Sequence, residues 1–184
     1  HWLQNGVRLL LITSSIMERS KNCRAHICRM ITKKKILVCT PENDFNAGRE
    51  RTGMGVLIAR ALQQNLLKDR EKAEQSLREY HAFYLRELVN AATGLVCNCS
   101  GKDNSYFRLY NYPWAVTFFL ECWKLWGEKE NLKTAVRITE KFYEQDGFRF
   151  YPIEMPIVML CQELEKSRRT GGSENSKRSV PTSC

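Results

Sequence analysis

The stretch Tyr106–Glu128, YFRLYNYPWAVTFFLECWKLWGE, decides the fold. It begins as a loop crowded with aromatics and amides, then passes Pro113 and Trp114 into a segment that is apolar almost all the way round. Proline suits the first turn of a helix, where its missing N–H has no intrahelical partner anyway. The pattern predicts a buried helix over 114–126 with a polar, aromatic rim at its N-terminal end. A helix apolar on every side needs other helices around it.

Those neighbours are written in the same chain. Residues 54–62 (MGVLIARAL) are apolar on nearly every face, and Asp69-Arg70-Glu71 opens an amphipathic helix to about Asn90. Its Ala73, Leu77, Tyr80, Tyr84 and Leu88 share one face. The same pair then recurs, with 114–126 as the inner helix and 130–144 as the outer one. Leu132, Ala135, Val136, Phe142 and Tyr143 are its expected core residues. At an offset of 59 residues Asp69 falls on Glu128, Arg70 on Lys129, Leu77 on Val136, Phe83 on Phe142 and Tyr84 on Tyr143. Periodicity of this kind marks a repeat architecture. A third unit starts at Pro156 (PIVMLCQELEK). Inner buried helices and outer amphipathic ones predict an all-α fold, an incomplete α/α toroid of repeated helical hairpins. Closing a six-hairpin ring at this period takes roughly 350 residues, so the chain holds about half of one.

The toroid domain is expected over 1–165, with clear hairpins from 52. Residues 166–184, with Gly171-Gly172-Ser173, are expected to be a disordered basic tail. Ahead of the hairpins, residues 1–34 read as helical, with a stripe through Trp2, Leu3, Val7, Leu10 and Leu11 and a second short helix over 23–30. Residues 36–39 read as a short extended piece and 41–48 as a loop.

The net charge of +9 belongs to the ends. Residues 1–51 carry +6, residues 166–184 carry +4, and the centre carries −1. With no basic stripe on an ordered face, nucleic acid is not the expected partner. No apolar run is long enough to cross a membrane. The eight cysteines read as reduced thiols, with Cys122 and Cys161 inside apolar helical patterns. Cys97-Asn98-Cys99 lacks the spacing of a zinc half-site, and neither metal nor other cofactor is expected. Asn98-Cys99-Ser100 formally fits a glycosylation acceptor. The chain opens on His1, which reads as a truncated start, and a cytoplasmic location is favoured.

Three loops open on the inner-helix N-termini. They are 44–51 (DFNAGRER), 108–112 (RLYNY) and 148–154 (FRFYPIE), all rich in Arg, aromatic and carboxylate or amide groups. The links at the opposite ends are short and ordinary. Helix N-termini favour anions through the aligned peptide dipoles. Sugar rings need apolar platforms, which Tyr110, Tyr112, Trp114 and Tyr151 supply, and planar polar groups, which Asn46 and Asn111 supply. Arg49, Arg51 and Arg108 suit a sugar carboxylate. Glycoside hydrolysis needs two carboxyl groups across the scissile bond, and Glu50, Glu154 and Asp44 are the candidates. Plainer readings stand beside these. Glu50 between two arginines equally reads as a loop-fixing ion pair. Glu154 reads as favourable dipole placement, Asn111 as a helix cap, and the aromatics as core.

The segments NAGRERTGMGVLIARAL, SYFRLYNYPWAVTFFLECWKLWG and GFRFYPIEMP resemble the inner-helix starts of bacterial six-hairpin glycosidase-like proteins, over about residues 43–160. That resemblance implies an α/α toroid and a glycan-processing activity, such as hydrolysis of unsaturated glucuronyl or rhamnogalacturonyl sugars. The resulting expectation is a glycoside hydrolase acting on uronate-containing oligosaccharides by carboxylate acid–base catalysis. The competing readings are a sugar epimerase on the same toroid and a helical-hairpin scaffold for a protein partner. Inner helices left uncovered would also favour self-association.

Overall fold

The computed structural model describes residues 29–31, 36–38, 52–98, 102, 108–150 and 155–175. Two short strands come first, β1 (Arg29–Ile31) and β2 (Ile36–Val38). They pair antiparallel with Arg29 opposite Val38 and Ile31 opposite Ile36. The extended reading of 36–38 holds, but Arg29 and Met30 are strand, where a helix over 23–30 was expected. Short apolar runs do not distinguish strand from helix by periodicity. The rest of 1–28 lies outside the described residues.

The hairpins follow as α1 (Thr52–Gln63), α2 (Arg70–Glu87), α3 (Asn111–Trp126), α4 (Lys129–Glu144) and α5 (Ile157–Asn175). A two-residue ribbon, β3 (Val89–Asn90) with β4 (Leu95–Val96), links α2 towards α3. A 3-10 turn, Gly147–Arg149, follows α4. Both α1 and α3 start 59 residues apart, and so do α2 and α4. The described chain is all-α: two helical hairpins and the inner helix of a third, as in a partial α/α toroid.

Each start and stop has a local cause. Asn65, two residues past the end of α1, turns the chain out of the helix in the left-handed region, φ 54°, which Asn tolerates. Arg70 donates to the carbonyl of Leu62, which also accepts the Asn65 N–H, and to Asn65 Oδ1, with both arginine bonds at 2.8 Å. Gly127 closes α3 at φ 70°, its N–H donating to Trp123 O at 2.7 Å. Pro113 occupies the third position of α3, still among residues whose N–H has no partner within the helix.

The inner helices α1 and α3 pack side by side, each backed by its outer partner. Gly55 makes this possible: a Cβ there would stand 2.7 Å from the Tyr80 ring and 2.8 Å from Phe118. Ala73, Leu77, Tyr80 and Tyr84 on α2 are fully buried, as their shared face requires. Tyr84 bonds Thr52 Oγ1 at 3.1 Å, and burial pushes its phenol well up.

The second unit departs from the first. Tyr143 was expected in the core but is 41% exposed, whereas Tyr84, its counterpart, packs on Phe118 and Phe119. Val136 is only half-buried. Cys161 was read as apolar interior and is exposed, while Cys122 is buried. The expected tail begins as helix, because α5 continues through 166–175. Between Pro156 and Pro181 nothing blocks the backbone, Glu163 pairs with Lys166 one turn on, and Gln162, Glu165, Arg168 and Arg169 are good helix formers. Two glycines cost about 1 kcal/mol each and do not end it. Among the described residues no helix is long and apolar enough to cross a membrane.

His81 on α2 carries a pH dependence. Its Nε2 meets Asn131 Oδ1 at 2.6 Å, and its ring lies edge-on to Phe119 and Trp126. Burial lowers its pKa below the ordinary imidazole value, against the Asn131 bond and Glu128, with Arg78 adding to the lowering. The unfolded chain therefore binds the proton more readily than the folded one. Stability from this site is full above about pH 6.5 and declines as pH falls through that value towards the lowered pKa. Thermal melts of wild type and His81→Gln between neutral and mildly acidic pH should show the wild type losing more. Parallel decline would remove this role.

Candidate functional site

The inner-helix N-termini lie at one end of the hairpins. The first residues of α1 and α3, Thr52 and Asn111, are polar and fully buried. Asn111 Nδ2 donates to Asn98 Oδ1 at 2.7 Å, tying the first turn of α3 to the chain leaving β4. Among the described residues its Oδ1 has no hydrogen-bond partner. Asn111 is thus the first helical residue, not the cap, which is Tyr110. Tyr112 is buried against Phe142, with its hydroxyl towards the Val96 backbone and the Gln145 amide. Burial pushes its phenol up to about 12.

Above this buried layer lies the rim. Trp114 is 36% exposed and rests over Gly53 at the start of α1, where a Cβ would come within 3.1 Å of the ring. The indole therefore bridges two adjacent inner-helix N-termini while keeping part of its surface to solvent. Tyr110, half-buried, meets Phe150 edge-on at 4.6 Å. That contact brings the loop after α4 to the same place. Arg108 is half-buried, and the Arg149 guanidinium stands 5.3 Å over the Phe148 ring. Cationic side chains and helix N-termini together make the rim favourable to anions.

Of the expected site residues, Arg108, Tyr110 and Trp114 keep part of their surface to solvent around the first turn of α3. The burial of Asn111 and Tyr112 takes both off it, into the layer that holds the first turn of α3. Asp44, Asn46, Arg49, Glu50, Arg51, Tyr151 and Glu154 lie outside the described residues. Sequence reasoning missed Asn98, Gly53 and Phe150. Asn98 carried a signal of the wrong kind, since its acceptor pattern suggests the surface whereas it is 1% exposed and bonded to Asn111. Gly53 carried a better one, sitting 59 residues before Tyr112 where a small residue admits Trp114.

A second polar group sits away from the rim, towards the far ends of α1 and α3. Glu121, 2% exposed, accepts from Arg60 Nε at 2.9 Å and Gln63 Nε2 at 3.0 Å, with Lys124 Nζ at 3.4 Å. It is a buried carboxylate with its charge met from both sides, and its role is to lock α1 to α3. Among the described residues no group of His, Cys, Asp or Glu could hold a metal ion.

Two helical hairpins and the start of a third, with an aromatic and basic rim at the inner N-termini, define an all-α helical-hairpin protein. No protein-family model matches the chain, and no curated protein matches it. Among solved structures it is similar to the polysaccharide lyase BACCELL_00875, with a TM-score of 0.67 at 22% identity over 88% of this chain. The chain spans about a quarter of that lyase, 25% of its length. At this identity the likeness is one of fold.

Proposed function

We propose that this chain is a segment of a carbohydrate-active protein whose inner-helix mouth binds uronate-containing glycans. The observation that carries it is the part-exposed Trp114 laid across two inner-helix N-termini, with the half-buried Arg108 and Tyr110 just ahead of it in the chain. The indole offers a flat apolar face for sugar C–H groups, and Arg108 a partner for the carboxylate. Asn111 and Tyr112 act beneath, fixing the first turn that carries the ring. The similarity to a polysaccharide lyase supports a glycan as the ligand. In this reading the glycosidic bond is hydrolysed with Glu50, Glu154 and Asp44 supplying the acid and base, one protonating the leaving oxygen and one activating water.

One observation favours a second chemistry: the similar structure is a lyase. Eliminative cleavage removes the proton beside the uronate carboxylate and expels the glycosidic oxygen, leaving a conjugated double bond in the product. An arginine on the carboxylate stabilises the charge that develops. Product spectra separate the two, because only elimination creates an ultraviolet-absorbing unsaturated sugar.

The test is direct binding of a uronate oligosaccharide to the 184-residue chain by calorimetry. Trp114→Ala and Arg108→Ala are each expected to weaken it roughly tenfold, about 1.4 kcal/mol. The Arg108 effect should shrink with added salt. If both variants bind as the wild type does, the mouth is not the site.

A further inference from the structure

The turn after α4 holds an aromatic ring and a cation out to solvent on a fixed base. The chain leaves α4 through Asp146 in the left-handed region, φ 61°, and enters the 3-10 turn Gly147–Arg149. Gly147 is buried on Phe142, where a Cβ would run into the ring. The Arg149 N–H donates to Asp146 O and the Phe150 N–H to Gly147 O, each at 3.0 Å. Phe142 in turn packs on Tyr112 in the first turn of α3, and Phe150 meets Tyr110 edge-on at 4.6 Å. Both ends of the turn are thereby tied to the base of the mouth.

Between these anchors Phe148 is 66% exposed, and the Arg149 guanidinium stands 5.3 Å from its ring centroid. A single exposed aromatic is ordinary on a protein surface. Here Gly147 and Phe150 take the inward positions of the turn, so its hydrogen-bonded backbone commits Phe148 to the outside. The charge beside it is uncompensated. Among the described residues Arg149 makes no ion pair, Asp146 meets it through a backbone carbonyl alone, and Glu144 is taken up by Lys141.

We infer that Phe148 and Arg149 form a second uronate subsite, joined to the mouth through Tyr110 and Phe150; this rests on the reading of the mouth as a glycan site. Phe148 offers apolar surface to the C–H groups of a sugar ring, and Arg149 a two-pronged donor for its carboxylate. The turn is ordered before the ligand arrives, so little freedom is lost on binding. A chain that engages Trp114 and runs on past Tyr110 and Phe150 makes the second contact as an intramolecular step. The subsite therefore selects for length: a short oligosaccharide touches the mouth alone, a longer one both.

The test is a calorimetric titration of the full chain with digalacturonate and with hexagalacturonate. The wild type should bind the hexasaccharide at least roughly tenfold more tightly. Phe148→Ala and Arg149→Ala should each weaken hexasaccharide binding roughly fivefold to tenfold and leave the disaccharide unchanged. The Arg149 effect should shrink with added salt, and the Phe148 effect should not. Both side chains are exposed, and melting temperatures report that the variants fold. Trp114→Ala should weaken both ligands. Hexasaccharide binding that is unchanged in both turn variants overturns the subsite; if Trp114→Ala still weakens both ligands, the mouth stands without it. Equal wild-type affinity for the two lengths, or an equal loss for both in the turn variants, also overturns it. If Trp114→Ala alone is without effect, it is the reading of the mouth that fails. A wild type that binds neither ligand overturns both.

Discussion

Phe118→Ala should lower the unfolding free energy by about 3–5 kcal/mol, the usual range for deleting a large buried ring. Phe118 is fully buried in the middle of α3, where the two hairpins meet. Its ring lies 5.0 Å from Tyr84, 5.4 Å from Tyr80, 5.5 Å from Phe119 and 6.1 Å from His81. Three of those partners are on α2, so the deletion removes the main contact between the outer helix of one unit and the inner helix of the next. The cavity cannot close cheaply, because Gly55 already brings α1 as near as its backbone allows. A domain holds only about 5–15 kcal/mol in total, so Phe118→Leu serves as the companion. It keeps most of the volume and should cost under about 1.5 kcal/mol. Chemical denaturation with both variants measures the ordering. A loss below about 1 kcal/mol for Phe118→Ala would mean the hairpins do not share a core at this ring.

The repeat explains why so much of this arrangement could be read from sequence. Each hairpin solves the same packing problem, so Thr52 and Asn111 begin inner helices, and Arg70 and Lys129 outer ones, at one fixed offset. What escaped was set by contacts between distant residues. Glu121 sits in an otherwise apolar segment, and Arg60 and Gln63 on another helix, with Lys124 one turn on, make its burial tolerable. The ribbon β3–β4 is two residues a side, too short to show alternation. At the mouth, Trp114 and Tyr110 were legible as rim residues, while Tyr112 between them was not legible as core. A helix turns about 200° over two residues. A run of adjacent aromatics at a helix start is therefore divided between solvent and interior, and sequence alone does not say which goes where. Tyr143 shows the same limit. It holds the repeat position of Tyr84, but it meets Phe142 on its own helix rather than a pair of rings on the next inner one.

Gly94→Ala should cost about 2–4 kcal/mol, the sum of a left-handed backbone and overpacking against a helix that cannot yield. Gly94 has φ 73° and is buried in the turn of the β3–β4 ribbon. Its N–H donates to Asn90 O at 2.8 Å, and Arg137 Nη1 donates to Ala91 O at 3.1 Å, seating the turn on α4. A Cβ at Gly94 would run into the Arg137 carbonyl, a backbone group inside a helix rather than a movable side chain. Gly94→Asn separates the two costs, since Asn tolerates the left-handed region but still brings a Cβ. It should recover only the smaller, conformational part. The effect should also reach the mouth, because the chain leaving this ribbon carries Asn98, and Asn98 holds Asn111 at the first turn of α3. At temperatures where the variant remains folded, uronate oligosaccharide binding should therefore weaken alongside that of Trp114→Ala. If Gly94→Ala melts within experimental error of the wild type, the ribbon is not seated on α4. If it is destabilised with binding intact, the ribbon supports the fold but does not position the rim.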